Sequence, residues 1–308
     1  MTLWPDGKKF AFTVFDDPDS QTESVSREVY SLLYDLGFAT TKAVWPLAPR
    51  RAMNSPGETC EANPSYLAHC QELQARGFEI GFHNASPSDN LRQDTIDGFD
   101  LFKEFFGHDP ISAANHYNHE ALYWGPERLS GLRRSMYNMV TFHRKSGVHH
   151  GHVESDPSFW GDVCRDRVRY FRNFVYSDIN TLKQCPLMPY YNPLQPYVRG
   201  WFASTEGANR HSFVDAIAES NQDRLEEEGG ACIMYTHFAH SFCEHGKLNP
   251  RFVELMTRLA KKGGWFVPVA KLLGRLEAHN GGIYTLTNAD RERLEWRWLA
   301  EKVFRGTS

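Results

Sequence analysis

Short apolar runs alternate with longer stretches of helical period along most of this chain. Residues 9 to 15 predict a strand, and 24 to 36 predict a helix, with Val25, Val29, Leu32, Leu33 and Leu36 at helical spacing and Gly37 as its stop. A second strand is expected over 40 to 45. A helix over 64 to 76 follows, with Pro64 tolerated in its first turn. Gly77 then releases the chain into a strand that ends at His83, followed by a helix over 91 to 106 and a short strand over 111 to 114. Regularity returns late, as a helix over 211 to 227, a strand over 231 to 236, a helix over 250 to 262 and a strand over 265 to 269. Thr287-Asn288 can cap a final helix over 289 to 304, whose Leu294, Trp298 and Leu299 would dock on the rest of the molecule. Repeated βα units imply a parallel sheet with helices outside it.

The middle breaks this rhythm. Residues 143 to 201 are rich in His, Pro, Tyr, Asp and Asn without a dominant period, and a stretch of that length is usually functional. The expected organisation is a single domain over 1 to 308, with an insertion at 143 to 201 and a C-terminal extension at 277 to 308.

Composition narrows the class. The 308 residues are 41% hydrophobic and 23% charged, enough for a large core, and a net charge of -4 argues against a nucleic-acid partner. Residues 1 to 6 lack the basic and apolar segments of a signal peptide, and no apolar run approaches the ~18 residues of a membrane span. The six scattered cysteines, with no C-x-x-C pair, fit reduced thiols. A cytoplasmic protein without a membrane span is expected.

Polar groups that end apolar strands carry the candidate chemistry. Asp16 and Asp17 close the first strand, and His83 closes a later one about 65 residues on. In a straight strand the two aspartates would face opposite ways, but Pro18 is expected to end the ladder and let both tip into one cavity. One carboxylate could then ligate a divalent metal while the other takes a proton from bound water. Asp-Asp-Pro-Asp is also good turn chemistry. A third ligand could come from His116 or His119, and His237, after another apolar strand, could act as an acid. The dense group His143, His149, His150 and His152 reads as a solvated loop. Trp160, Asp162, Arg172, Asn173 and Tyr190 could stack on a sugar ring and bind its hydroxyls, with Asn84 and Asn115 as further substrate ligands.

The runs Phe12-Thr13-Val14-Phe15-Asp16-Asp17 and Gly77-Phe78-Glu79-Ile80-Gly81-Phe82-His83 resemble the T-F-D-D and G-x-E-I-G-x-H motifs of the polysaccharide deacetylase (NodB-homology) superfamily. Tyr235-Thr236-His237-Phe238 sits where that family's late histidine motif would fall, and residues 263 to 268 resemble its closing strand. The likeness covers about residues 4 to 85 and 228 to 276. It implies an α/β fold, a distorted (β/α) barrel, with a divalent metal such as zinc, cobalt or nickel. It also implies hydrolysis of an N-acetyl or N-formyl group on an amino sugar, in surface or lipopolysaccharide biosynthesis. Asp16 would be the base, Asp17 and His83 metal ligands, and His237 the acid. Pro87 stands where the family has its second histidine, so His116 is the expected replacement, and the R-P-P motif is missing. This points to a divergent branch acting on a nucleotide-linked or lipid-linked sugar. The alternatives are an inactive carbohydrate-binding barrel and a metal-dependent sugar isomerase or epimerase using His143 or His152. Residues 143 to 201 are expected to fold over the barrel mouth as a lid.

Overall fold

The computed structural model describes residues 3–306. Seven strands form the wall: β1 (Ala11–Asp16), β2 (Thr41–Val44), β3 (Glu79–Phe82), β4 (Ser112–Ala113), β5 (Tyr170–Tyr176), β7 (Gly200–Thr205) and β8 (Ala231–Thr236). They pair in parallel in the order β1-β2-β3-β4-β5-β7-β8, and β8 pairs again with β1, which closes the barrel. Two short strands extend it at β7: β6 (Tyr190–Tyr191), antiparallel, and β11 (Tyr284–Thr285) beyond it. A small hairpin of β9 (Cys243–Glu244) and β10 (Lys247–Leu248) stands apart.

Helices α1 (Glu23–Asp35), α2 (Pro64–Ala75), α3 (Arg92–Phe106), α4 (Gly131–Val140), α5 (Gly161–Arg167), α6 (Thr181–Gln184), α7 (Arg210–Ala216), α8 (Glu219–Glu227), α9 (Pro250–Lys261), α10 (Val269–Asn280) and α11 (Asn288–Arg305) complete the chain. Local chemistry sets several of their ends. Asn63 and Asn249 accept backbone N–H groups ahead of Pro64 and Pro250, and Gly107 ends α3 at φ 82°.

Strand alternation sorts the side chains into two cores. Phe12 meets Phe38 outside the barrel, and Phe82 stacks on Phe99 of α3 at 4.2 Å between ring centroids. Phe15 meets Phe202 inside. A Cβ at Gly81 would lie 3.0 Å from Thr41 and 3.2 Å from Phe15, so the interior admits only glycine there without displacement.

Four sequence expectations change. The stretch over 211 to 227 is two helices, broken at residues 217 and 218. Residues 265 to 269 form no strand beyond a bridge from Trp265 to Ala11, because Val269 already begins α10. The supposed extension from 277 therefore starts inside α10. Finally, residues 143 to 201 are not an insertion: Tyr170–Tyr176 is a fully buried wall strand, whose seven residues lack alternation because both of its faces are covered. The C-terminal helix docks as expected, with Leu294, Trp298 and Leu299 buried and Trp298 packed on Phe174 and Tyr137.

Candidate active site

The mouth of the barrel is built from residues one step beyond the strand ends. Asp17 follows β1, and its N–H still donates to Thr236 O at 2.8 Å, so the ladder and its alternation continue past Asp16. The two aspartates therefore diverge, contrary to the expectation that Pro18 would turn both inward. Asp16 points into the helix layer, fully buried, where it accepts from Tyr30 Oη (3.1 Å) and Phe238 N (2.8 Å), with Lys42 Nζ 3.5 Å away. Burial pushes its carboxyl up, opposed by Lys42. It is spent on structure and anchors the backbone beside His237.

Asp17 faces the mouth, gripped by both arms of Arg172 at 2.9 and 2.5 Å. Arg172 lies over Tyr235 at 4.3 Å and is buried, so this carboxylate is neutralised by a fixed guanidinium.

The centre of the mouth is Asp19, the last residue of the Asp-Asp-Pro-Asp turn. Pro18 O accepts from Gln21 N, and Ser20 takes φ 59°, so the turn swings Asp19 over the strand ends. Three imidazoles surround it: His116 Nε2 is 2.9 Å from Oδ1, and His83 Nε2 and His237 Nε2 are 3.4 and 3.6 Å from Oδ2. Burial opposes ionisation of Asp19, but the hydrogen bond from His116 and the close approach of the His83 ring outweigh it and hold the carboxyl far below its usual range. Burial lowers the His83 imidazole, against the pull of Asp17 and Asp19. His116 is likewise disfavoured by burial, yet its bond to Asp19 leaves it raised overall.

The partners behind these rings matter as much. His237 Nδ1 lies 2.8 Å from Ala208 O, and His116 Nδ1 lies 2.7 Å from Asn118 Oδ1. Both oxygens accept only, so each Nδ1 carries a hydrogen, and Nε2 is the ring atom turned towards Asp19. His83 Nδ1 faces Asp17 Oδ1 at 3.5 Å. Asp19 Oδ2 is buried without a hydrogen-bond donor. Three imidazole nitrogens turned on one carboxylate, with His116 and His237 each backed by an acceptor at Nδ1, are side chains of the types that ligate divalent cations.

Beneath it, Asn84 (φ 59°) donates to Glu120 Oε1 and accepts from His116 N. Asn90 and Asn118 also donate to Glu120, so a buried carboxylate braces this floor.

The expected sugar ligands are mostly used elsewhere. Trp160 is buried against Phe82 and Phe99 and donates to Glu120 O. Asp162 holds Arg92 through two 2.6 Å bonds on the outside. Asn173 donates to Tyr190 Oη within the core, and Asn115 pairs with both backbone groups of Leu122. Only Arg172 reaches the mouth. The expected lid is in part a section of wall, β5, and its aromatics are buried because β5 and α5 need a core between them. His143 is exposed and His152 accepts from Tyr123 N, so neither joins Asp19. A cavity of about 750 Å³ lies at the opposite end among Phe78, Ile111, Tyr170 and Pro268, at the starts of strands.

No protein-family model matches the chain, and no curated protein does. Among solved structures, a protein described as a polysaccharide deacetylase from Mycobacterium smegmatis aligns with TM-score 0.51 at 13% identity, over 92% of this chain and 96% of that one. The fold is that of the polysaccharide deacetylases. The Puue allantoinase aligns similarly, with TM-score 0.50 and 12% identity, over 89% of this chain and 92% of that one. Within the polysaccharide deacetylase fold, His83 and His237 stand at the C-terminal ends of β3 and β8, on the rim where (β/α) barrels place their sites. No helix among the described residues is long and apolar enough to cross a membrane.

Proposed function

We propose that the protein is a metal-dependent hydrolase that removes an N-acyl group, acetyl or formyl, from an amino sugar. The observation that carries this is Asp19, a buried carboxylate ringed by His83, His116 and His237 at the barrel mouth. Asp19, His83 and His116 would hold the cation, in place of the set with Asp17 that family resemblance implies. The imidazoles stand around the carboxylate, and an ion held there would need their ligand atoms closer to one another than they lie now. A bound zinc, cobalt or nickel ion supplies Lewis acidity to the acyl oxygen and an acidified water.

The chain's own residues do the rest. Arg172 fixes Asp17 behind His83 and keeps that ring turned to the mouth. His237 is more open than His83 or His116, and its Nδ1–H is tied to Ala208 O, which leaves Nε2 free to take up a proton and pass it to the leaving amine. Asp16, the base by resemblance, positions the His237 backbone instead.

A second reading is a binding barrel without catalysis. The Arg172 clamp on Asp17 favours it, because it removes a carboxylate that could otherwise act at the mouth. One experiment separates the two. Protein loaded with Zn²⁺, Co²⁺ or Ni²⁺ is assayed for acetate or formate release from N-acylated amino sugars and their nucleotide-linked forms. Turnover that falls at least 100-fold in Asp19→Asn and His83→Ala supports the hydrolase. A metal-loaded protein that binds these sugars but releases no acid supports the binder.

A further inference from the structure

A second group of ligating side chains lies outside the mouth, where the loop after β4 meets residues 148 to 160. His119 Nε2 is 3.2 Å and His150 Nδ1 2.8 Å from the same oxygen, Asp156 Oδ2. Their ligand atoms all lie within 4.8 Å of one another, a spacing that no other trio of His, Cys, Asp or Glu reaches among the described residues. The sequence had marked His119 as a possible mouth ligand and His150 as a solvated loop residue.

Hydrogen bonding fixes what these atoms offer. His119 Nδ1 stands 3.0 Å from Val148 O, which only accepts, so Nδ1 carries the hydrogen. Where the ring is neutral, its Nε2 lone pair faces a carboxylate oxygen, and two electron-rich atoms at that distance repel unless a proton or a metal cation lies between them. The other oxygen of Asp156 accepts from Ser158 N at 2.8 Å, which sets the carboxylate's direction. The two segments are also clamped by backbone. His150 N donates to His119 O at 2.7 Å and Gly151 N to Ala121 O at 3.3 Å. A Cβ at Gly151 would fall 1.9 Å from Glu120 O, so only glycine permits this approach. The ligands are thus held in place by bonds that do not depend on an ion, and all three side chains are partly open to solvent.

We propose that His119, His150 and Asp156 bind a divalent cation of the zinc class, with a remaining position for water, as a clip between residues 148 to 160 and the loop carrying His116. Two imidazoles and one carboxylate suit zinc, cobalt or nickel, whereas calcium and magnesium prefer oxygen alone. Bonds of about 2.0 to 2.2 Å place ligand atoms roughly 3.3 to 3.6 Å apart, within the present spread. The site shares no ligand with the mouth and does not depend on the hydrolase reading. The competing account is an imidazolium of His119 paired with Asp156, which needs no metal.

The test uses the full chain stripped by a chelator, then titrated with Zn²⁺ by calorimetry and measured for zinc per chain. His150→Ala and Asp156→Asn should each lose about one equivalent, or bind it at least tenfold more weakly, while Asp19→Asn keeps it. Wild-type stoichiometry and affinity in both rim variants would overturn the proposal, whatever the mouth does. Zinc lost only in Asp19→Asn overturns it too, and leaves the mouth assignment standing. His119→Gln, compared with wild type by circular dichroism in the stripped state, guards against misfolding. If that variant is folded and still binds the rim equivalent, the clip is refuted.

Discussion

His116 keeps its orientation through Asn118, whose Oδ1 accepts from the ring while its Nδ2 donates to Ser86 O, Ser88 O and Glu120. Partners of this kind typically carry 10–100-fold in metal affinity. Asn118→Ala should therefore weaken Zn²⁺ binding at the mouth by that order, as read by competition with a chromogenic chelator. Unchanged affinity would show that His116 is not a ligand. Trp160 makes the opposite case. Its ring is enclosed by Phe82, Phe99 and Phe171, so Trp160→Ala should cost about 3 to 5 kcal/mol in urea unfolding. Sugar affinity, measured under conditions where the variant is folded, should not change. From sequence alone this residue read as a stacking platform, because nothing in its neighbours revealed which side of the wall it faced.

At the scale of elements, the Asp16–Lys42 pair joins β1 to β2 and sits beneath the rings of Tyr30 and Tyr66, with no exposure of either charge. Removing one member of a buried pair strands the other. Asp16→Asn should destabilise the fold by about 3 to 5 kcal/mol, whereas adding Lys42→Met to it should recover much of that loss. A double-mutant cycle by chemical denaturation measures the coupling, and strictly additive costs would argue against a working pair. The short apolar run over residues 9 to 15 announced β1. Which face of it held each carboxylate depended on how far the ladder ran past Asp16, and that is set by Thr236 on β8.

For the whole molecule, Glu79 ties the barrel floor together, accepting from Thr41 on β2, Ser112 on β4 and Ala270 N on α10. Burial raises its carboxyl above the ordinary value, against the pull of those donors. The native state thus holds this proton to higher pH than the unfolded chain does. Its favourable contribution is complete below the unfolded pKa and is lost as pH rises through the folded one. Glu79→Gln keeps the shape and removes the charge, so its stability relative to wild type should increase between pH 4 and pH 8 in parallel urea titrations. A difference independent of pH would show that Glu79 titrates alike in both states.

By itself the sequence determined the α/β order, the bounds of α1, α2, α3, α9 and α11 to within a residue or two, the docking of Leu294, Trp298 and Leu299, and the strand-end positions of His83 and His237. These are local matters of period, caps and turn residues, each legible within a dozen positions. It also brought His116 to notice. Asp19 at the centre, Arg172 on Asp17, the rim trio and the wall identity of β5 came only from the tertiary structure. The Arg172 contact depends on closure of the barrel, which brings together residues distant in sequence, and the rim trio on the meeting of the loop after β4 with residues 148 to 160. Asp17 and Arg172 lie 155 positions apart. No local pattern encodes such a pairing, because closure places the two side chains on one inner face.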